Sequence, residues 1–343
     1  MANAENQASI DIMELAGANQ VFHFSQMLGR SLARRVLGVS MKANIIGQFG
    51  PLAIAEAPAM RTPLDGKVLK DSGIRQNTGV NVAGIWQRGD FNIPTPDTKI
   101  GSHSVLVLAG SREQLERFDQ QYSAFSVSMD PVLILGGGRV GRAAADHLQA
   151  NNIDYRVVEK SQRLAREHDR YIPGDAADLE VLKEAGIDRA PSVIITTNND
   201  NMNIYLTIYC RRLRPDIQVI TRTTLDRNIS KLHQAGADLV MSYASMGANA
   251  VINFLRENKE LMIAEGLNIF RLPIPRALEG KSLQMSRIRE KTSCSVIAVS
   301  SGQEMIINPE PGYVLHAGEE IILIGTTGAE QTWLSHFERN GRF

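Results

Sequence analysis

Cysteine is nearly absent. Cys210 and Cys294 are the only two in 343 residues, and neither has neighbours at metal-ligand spacing. That excludes a disulfide framework and a cysteine-based zinc site, and predicts two reduced, buried thiols in a cytoplasmic protein. Net charge is lacking too: 37 Lys and Arg cancel 37 Asp and Glu. Without a global field there is nothing to draw nucleic acid or anionic lipid, so no nucleic-acid partner is expected. No apolar run approaches the roughly 18 residues that cross a bilayer. The opening residues, MANAENQAS, are polar and unlike a signal peptide. The expectation is a soluble chain with no transmembrane segment. At 43% hydrophobic and 22% charged residues, it is composed like an ordinary globular protein of two or three domains.

What is present centres on PVLILGGGRVG, Pro131 to Gly141. Val132 to Leu135 has the apolar continuity of a strand covered on both faces. Gly136, Gly138 and Gly141 follow in G-x-G-x-x-G spacing, and Arg142 to Ala150 reads as a helix. A second apolar strand, Tyr155 to Val158, ends at an acid, Glu159. Strand, glycine turn, helix, strand, acid is the context of a dinucleotide-binding βαβ unit. The first glycine permits the turn, the second admits a diphosphate to the backbone, and the third lets helix and strand pack closely. The helix N-terminus offers unpaired N–H groups and the positive end of its dipole. Glu159 stands where a carboxylate accepts ribose hydroxyls, which favours NAD or an adenosine nucleotide over NADP.

The chain also repeats itself. Leu15-Ala16-Gly17-Ala18-Asn19-Gln20-Val21 matches Gln234-Ala235-Gly236-Ala237-Asp238-Leu239-Val240, and Met27 matches Met246, at an offset of 219. Leu64-Asp65-Gly66-Lys67 matches Leu278-Glu279-Gly280-Lys281, and Ile74-Arg75 matches Ile288-Arg289, at an offset of 214. The second copy opens with a full α/β lobe from Pro131 to about Leu255. Its strands are expected near Val132, Tyr155, Ser192 to Thr196, Gln218 to Thr221 and Leu239 to Met241, alternating with helices. That pattern predicts a doubly wound parallel sheet. The first copy keeps only a helix (Ser9 to Leu15), a strand (Gln20 to Phe22) and a further helix (Ser25 to Leu37). By alignment, residue 1 falls where the fifth strand of that lobe ends. The chain is therefore expected to be a fragment, or to borrow the missing lobe, with the core face of its first helix exposed. Ala43 to Tyr122 and Asn268 to Phe337 read as two copies of a small α+β lobe. Ser123 to Asp130 separates the copies.

Further matches extend the glycine motif: VVEK ending at Lys160, GDA at Gly174 to Ala176, ITTNND at Ile195 to Asp200, Thr221-Arg222, and AGAD at Ala235 to Asp238. With these residues the chain resembles the RCK family, regulators of potassium conductance built from TrkA-N and TrkA-C domains. The resemblance implies four parts: the end of a first RCK N-lobe with its crossover helix (1–42), a first C-lobe (43–122), a second, Rossmann-type N-lobe (123–260) and a second C-lobe (261–343).

It also implies a ligand site. Gly136, Gly137, Gly138, Arg139, Val140 and Gly141 would form the phosphate loop, with the Arg139 guanidinium able to reach the phosphates. Glu159, next to Lys160, would hold the ribose, and Asp175 with Ala176 would border the adenine. Thr196 and Thr197, ending the fourth strand, would face the crevice, and Arg222, ending the fifth, is a further phosphate candidate. Asp175 also reads as a helix N-cap, and the two threonines as ordinary strand-end residues. Gly137 occupies a position where the family admits several residues. The crossover helices carry small residues for close packing: Ser25, Gly29 and Ala33 in one, Ala244, Gly247, Ala248 and Ala250 in the other.

The family implies a cytosolic sensor that binds NAD, ADP or ATP and gates potassium flux. It would assemble with other RCK units, as a tetramer of tandem RCKs, on the cytoplasmic side of a membrane pore. The alternative is a peripheral, NAD-binding subunit of a Trk-type uptake transporter. A dehydrogenase would need a proton donor beside the nicotinamide. The seven histidines form no catalytic arrangement, and no Ser/His/Asp or paired-carboxylate set appears. No enzyme activity is expected. Calcium regulates several family members, yet Asp238, Glu279, Glu319 and Glu320 form no oxygen-ligand loop, so no metal site is assigned.

Overall fold

Residues 132–135 supply both faces of a sheet at once, and their alternation decides which core each side chain joins. In the computed structural model Leu133 and Leu135 pack with Val193, Ile195, Leu182 and Leu206 on one face. Val132 and Ile134 pack with Val140, Ala144 and Ile194 on the other. Period-two alternation of uniformly apolar residues is what a sheet covered on both sides requires. The structure describes residues 1–5, 7–36, 43–87, 90–122, 130–166, 168–255, 260–264, 267–302 and 304–338. The expected boundary at Ser123 to Asp130 and the expected helix end at Leu37 lie, but for Asp130, outside them.

The chain divides into two units, one of residues 1–41 with 126–248, the other of 42–125 with 249–343. The first contains six parallel strands: Val132–Leu135, Tyr155–Glu159, Tyr171–Pro173, Ser192–Ile195, Gln218–Thr223 and Leu239–Ser242. Their order is third, second, first, fourth, fifth, sixth, all parallel. This is the doubly wound Rossmann-type arrangement, and it reverses between Val132–Leu135 and Ser192–Ile195, where ligands lodge in such sheets. The strand Tyr171–Pro173 is missing from the sequence reading. It has three residues, too few for a period to register, and is held by pairing with Val157 to Glu159.

The N-terminal residues belong to this unit. Ala2–Asn3 pairs in parallel with Val21–Phe22, Ala2 opposite Val21. The equivalent pair in the sheet is Thr221 opposite Val240, so the offset of 219 holds in the register as well as in the sequence. The helix Ile10–Leu15 buries none of its residues, and Ile12 and Leu15 are 69% and 89% exposed. The helix Phe24–Ala33 is different. Its Leu28, Leu32 and Ala33 are buried in the same core as Val132 and Ile134. Gly29 sets the approach: a Cβ there would stand 2.4 Å from the Val140 carbonyl oxygen and 2.6 Å from the Ala143 Cβ. The two helices approach closely because Gly29 has no side chain at the crossing and faces the small Ala143.

In the second unit the same antiparallel sheet is built twice. The strands Asn44–Phe49, Leu52–Pro58, Asn81–Gln87, Asp90–Asn92 and Ser104–Gly110 lie in the order first, second, fifth, third, fourth. Glu260–Ala264, Leu267–Pro273, Ser295–Ser301, Glu304–Ile307 and Glu320–Thr326 repeat that order. Even an irregularity is copied: pairing slips between Val82 and Gly84 and between Val296 and Ala298. A bulge at one register position in both copies belongs to the design of the lobe.

Candidate functional site

The loop after the first strand is built from three glycines with three different constraints. Gly136 has φ +109°, which a side chain would strain. Gly141 is closed in completely: a Cβ there would lie 1.8 Å from the Gly136 carbonyl oxygen. Gly138 is extended, caps the helix Arg139–Ala150, and has open space where a Cβ would go. Only at Gly138 does the bare backbone face a vacancy that a ligand can enter. Gly137, at a position where the family admits several residues, is tightly enclosed in this chain. Its Cβ would meet the Tyr171 ring at 2.7 Å and the Glu159 carboxylate at 3.2 Å.

Behind the loop the polar groups interlock. Glu159 accepts hydrogen bonds from the Gly137 N–H at 2.6 Å and from the Ser161 N–H at 2.7 Å, one on each oxygen. Thr196 donates its hydroxyl to the Gly136 carbonyl at 2.7 Å and is buried. Thr197 donates to Asn203 Oδ1 at 2.6 Å, and Asn203 ties the Thr197 and Arg222 carbonyls together. Both threonine hydroxyl protons thus go to the scaffold. Asp175 accepts from the Ala177 N–H and from Lys160 Nζ at 2.9 Å. The backbone bond first, and then Lys160, hold its carboxyl below the ordinary value. Asp175 is not a helix cap; Asp178 fills that role for the helix Leu179–Ala185.

These groups border a cavity of about 740 Å³ at the carboxyl ends of the strands. Gly136, Gly138, Arg139 and Val140 line one side, with Glu159, Lys160, Asp175 and Ala176 beyond them, and Thr196, Thr197 and Arg222 opposite. Gly137 and Gly141 shape the loop from behind. Arg222 is 9% exposed. Its Nη2 donates to Thr224 Oγ1 at 2.9 Å, and its guanidinium carbon lies 5.8 Å from the Tyr243 ring centroid. Among the described residues its buried Nε has no acceptor. Burial pushes its pKa down, partly countered by Asp200. A buried guanidinium with an unused donor, beside a cavity, is suited to an anion.

Glu5, Ser25 and Tyr243 are among the lining residues that the sequence reading did not indicate. The internal repeat held the signal, because Glu5 falls 219 residues before Thr224, which lines the same cavity. Phe24 and Tyr243 occupy equivalent positions, and their rings meet edge to face with centroids 6.1 Å apart. Of the acids considered for a metal, Asp238 pairs with Arg211 and Glu320 with Arg271, while Glu319 accepts from Tyr313 and the His316 N–H. Among the described residues no three His, Cys, Asp or Glu side chains converge as metal ligands, and no helix is long and apolar enough to cross a membrane.

Residues 132–243 match the TrkA-N domain family, and residues 57–122 and 267–335 match the TrkA-C domain family. The chain belongs to the RCK family. Among solved structures, the GsuK RCK domain is 34% identical with a TM-score of 0.61, covering 98% of this chain and 74% of that one. A GsuK channel bound to NAD is 35% identical with a TM-score of 0.59, covering 98% of this chain and 62% of that one. Potassium channel protein 1 of Methanocaldococcus jannaschii is 28% identical over 274 residues, 69% of this chain and 81% of the relative. In this chain the six-stranded parallel sheet falls within the TrkA-N match or at its edge, and the two five-stranded antiparallel sheets belong to the regions of the TrkA-C matches.

Proposed function

We propose that the cavity at Gly136 to Gly141 binds NAD or an adenine nucleotide, and that its occupancy regulates potassium flux through a membrane pore. The observation that carries this reading is the open Gly138 position at the N-terminus of a twelve-residue helix, inside a polar cavity. The N–H groups there and the helix dipole suit a diphosphate, and Arg139 and Arg222 are placed to add charged donors. Glu159, oriented by Gly137 and Ser161, keeps lone pairs for two ribose hydroxyls. Val158, Leu164 and Ala176 offer an apolar bed for the adenine, bordered by Asp175 and Lys160. The NAD-bound GsuK channel supports the same ligand class here.

Regulation follows from what the loop is attached to. The helix that begins at Arg139 carries the Gly29 contact, so strain at the loop is transmitted to the helix Phe24–Ala33. Ligand binding shifts an arrangement of lobes only by its difference in affinity between the two arrangements. The unit would work on the cytoplasmic side of the membrane, as one of several RCK units in a channel gating ring, rather than as a transporter subunit. No catalytic step is proposed. Calorimetric titration with NAD, NADH, ADP and ATP tests the binding. A saturable signal that weakens at least about tenfold in Glu159→Ala is expected, and no signal with any of the four would sink the assignment. Recording potassium currents through a pore assembled with this chain, with and without nucleotide, tests the regulation.

A further inference from the structure

The cavity contains its own anion. Glu5 Oε2 lies 2.6 Å from Arg139 Nη1, at the mouth of the phosphate loop. This placement is built rather than incidental. Glu5 follows Ala4, which is buried and donates its N–H to the Phe22 carbonyl at 2.8 Å. Ala2–Asn3 pairs with Val21–Phe22, and Asn3 Oδ1 accepts from the Phe24 N–H at 3.4 Å. The backbone is thereby fixed up to the residue that delivers the carboxylate.

The charges lining the cavity balance. Arg139, Lys160 and Arg222 face Glu5, Glu159 and Asp175. Lys160 is held by Asp175 and Arg139 by Glu5, whereas Arg222, among the described residues, donates to the Thr224 hydroxyl and pairs with no carboxylate at ion-pair distance. A phosphate reaching the loop must take Arg139 from Glu5 and then remain beside the displaced carboxylate. The ion pair is exposed at both ends, so exchanging it costs little. The repulsion that follows depends on the ligand. A dinucleotide diphosphate is esterified at both ends and carries one charge per phosphate. ADP and ATP end in a phosphate with a further ionisation.

We infer that Glu5 is a specificity-determining residue of the nucleotide cavity, selecting dinucleotide diphosphates against nucleotides that end in a free phosphate. This rests on the nucleotide reading above. The test is calorimetric titration of the chain and of Glu5→Gln with NAD, ADP, ATP and adenosine at fixed ionic strength. In Glu5→Gln, ADP and ATP should tighten about 3- to 10-fold, NAD by about 2-fold or less, and adenosine not at all. Glu5→Asp, which keeps the charge, should keep the wild-type order of affinities, and unchanged melting temperatures would show that both variants fold. Raising the salt to about 1 M, where screening shortens to roughly 3 Å, should erase the difference between wild type and Glu5→Gln. Equal changes for all four ligands, no change, or weaker ADP and ATP binding would overturn the role of Glu5 while leaving the nucleotide reading intact. A wild-type chain that binds none of the four overturns both.

Discussion

The backbone of Gly29 rests on the carbonyl of Val140. A Cβ at Gly29 would stand 2.4 Å from that oxygen and 2.8 Å from the Ala144 nitrogen. Alanine in place of a helical glycine gains up to about 1 kcal/mol of propensity. Here the neighbours are backbone atoms that cannot swing away, so overpacking wins. Gly29→Ala should destabilise the first unit by about 1–3 kcal/mol, measured by urea unfolding. An unchanged or raised midpoint would mean that the helices do not touch at this residue.

Two adjacent glycines should separate folding from binding. Gly138→Ala meets no atom and requires no unusual backbone angle, so the melting temperature should hold while nucleotide affinity falls at least about tenfold through lost backbone approach. Gly137→Ala drives a methyl into the Tyr171 ring and the Glu159 carboxylate. It should lower both stability, by about 1–3 kcal/mol, and affinity. If Gly138→Ala bound nucleotide as tightly as wild type, the diphosphate could not sit on that loop.

Asp238 closes a buried charge pair: Arg211 Nη2 is 2.7 Å away and the Val219 N–H donates at 2.8 Å. Asp238→Ala leaves the guanidinium among the carbonyls of Gly236, Pro215 and Ile217. Those acceptors soften the loss, which should come near the lower end for a broken buried pair, about 3 kcal/mol. Chemical denaturation of the variant checks this, and a cost under about 1 kcal/mol would contradict the burial of the pair.

The carboxylate of Asp200 predicts an acid limb in stability. Burial is the largest single influence and would raise its pKa. Hydrogen bonds from the Thr224 N–H, Asn228, Thr223 and the Leu225 N–H together bring it below the ordinary value of 3.8. A group with a depressed native pKa adds stability above its unfolded pKa and loses it as pH falls through the native value. Stability should therefore drop as pH falls below about 4, and Asp200→Asn should flatten that limb while costing about 1–3 kcal/mol at neutral pH through lost hydrogen bonds. Melting temperatures of both proteins between pH 3 and 7 measure it.

Features that depend on neighbouring residues were legible in the sequence. Gly136, Gly138, Gly141 and Glu159 are spaced by the geometry of one strand–turn–helix–strand segment, and the structure brings them together around one turn. The crowding at Gly137 was not legible locally, because the atoms that enclose it belong to Tyr171, thirty-four residues on, and to Glu159. Thr196 and Thr197 line the cavity as their strand position suggests, but their hydroxyl protons are taken by Gly136 and Asn203, which no spacing rule announces. Tyr171–Pro173 became a strand by pairing alone. Glu5 is the sharpest case: its position follows from a strand pairing whose register only the internal repeat could have indicated.

Scarce cysteine has one more consequence. Burial pushes the Cys210 thiol up to about 12 and the Cys294 thiol up to about 11. At neutral pH neither presents a thiolate, so alkylating reagents should pass over the native chain. That makes the molecule a clean background for a single optical reporter. A cysteine introduced at Lys160, an exposed residue on the cavity rim, would be the one reactive thiol, and a fluorophore attached there would register each ligand as it arrives and leaves.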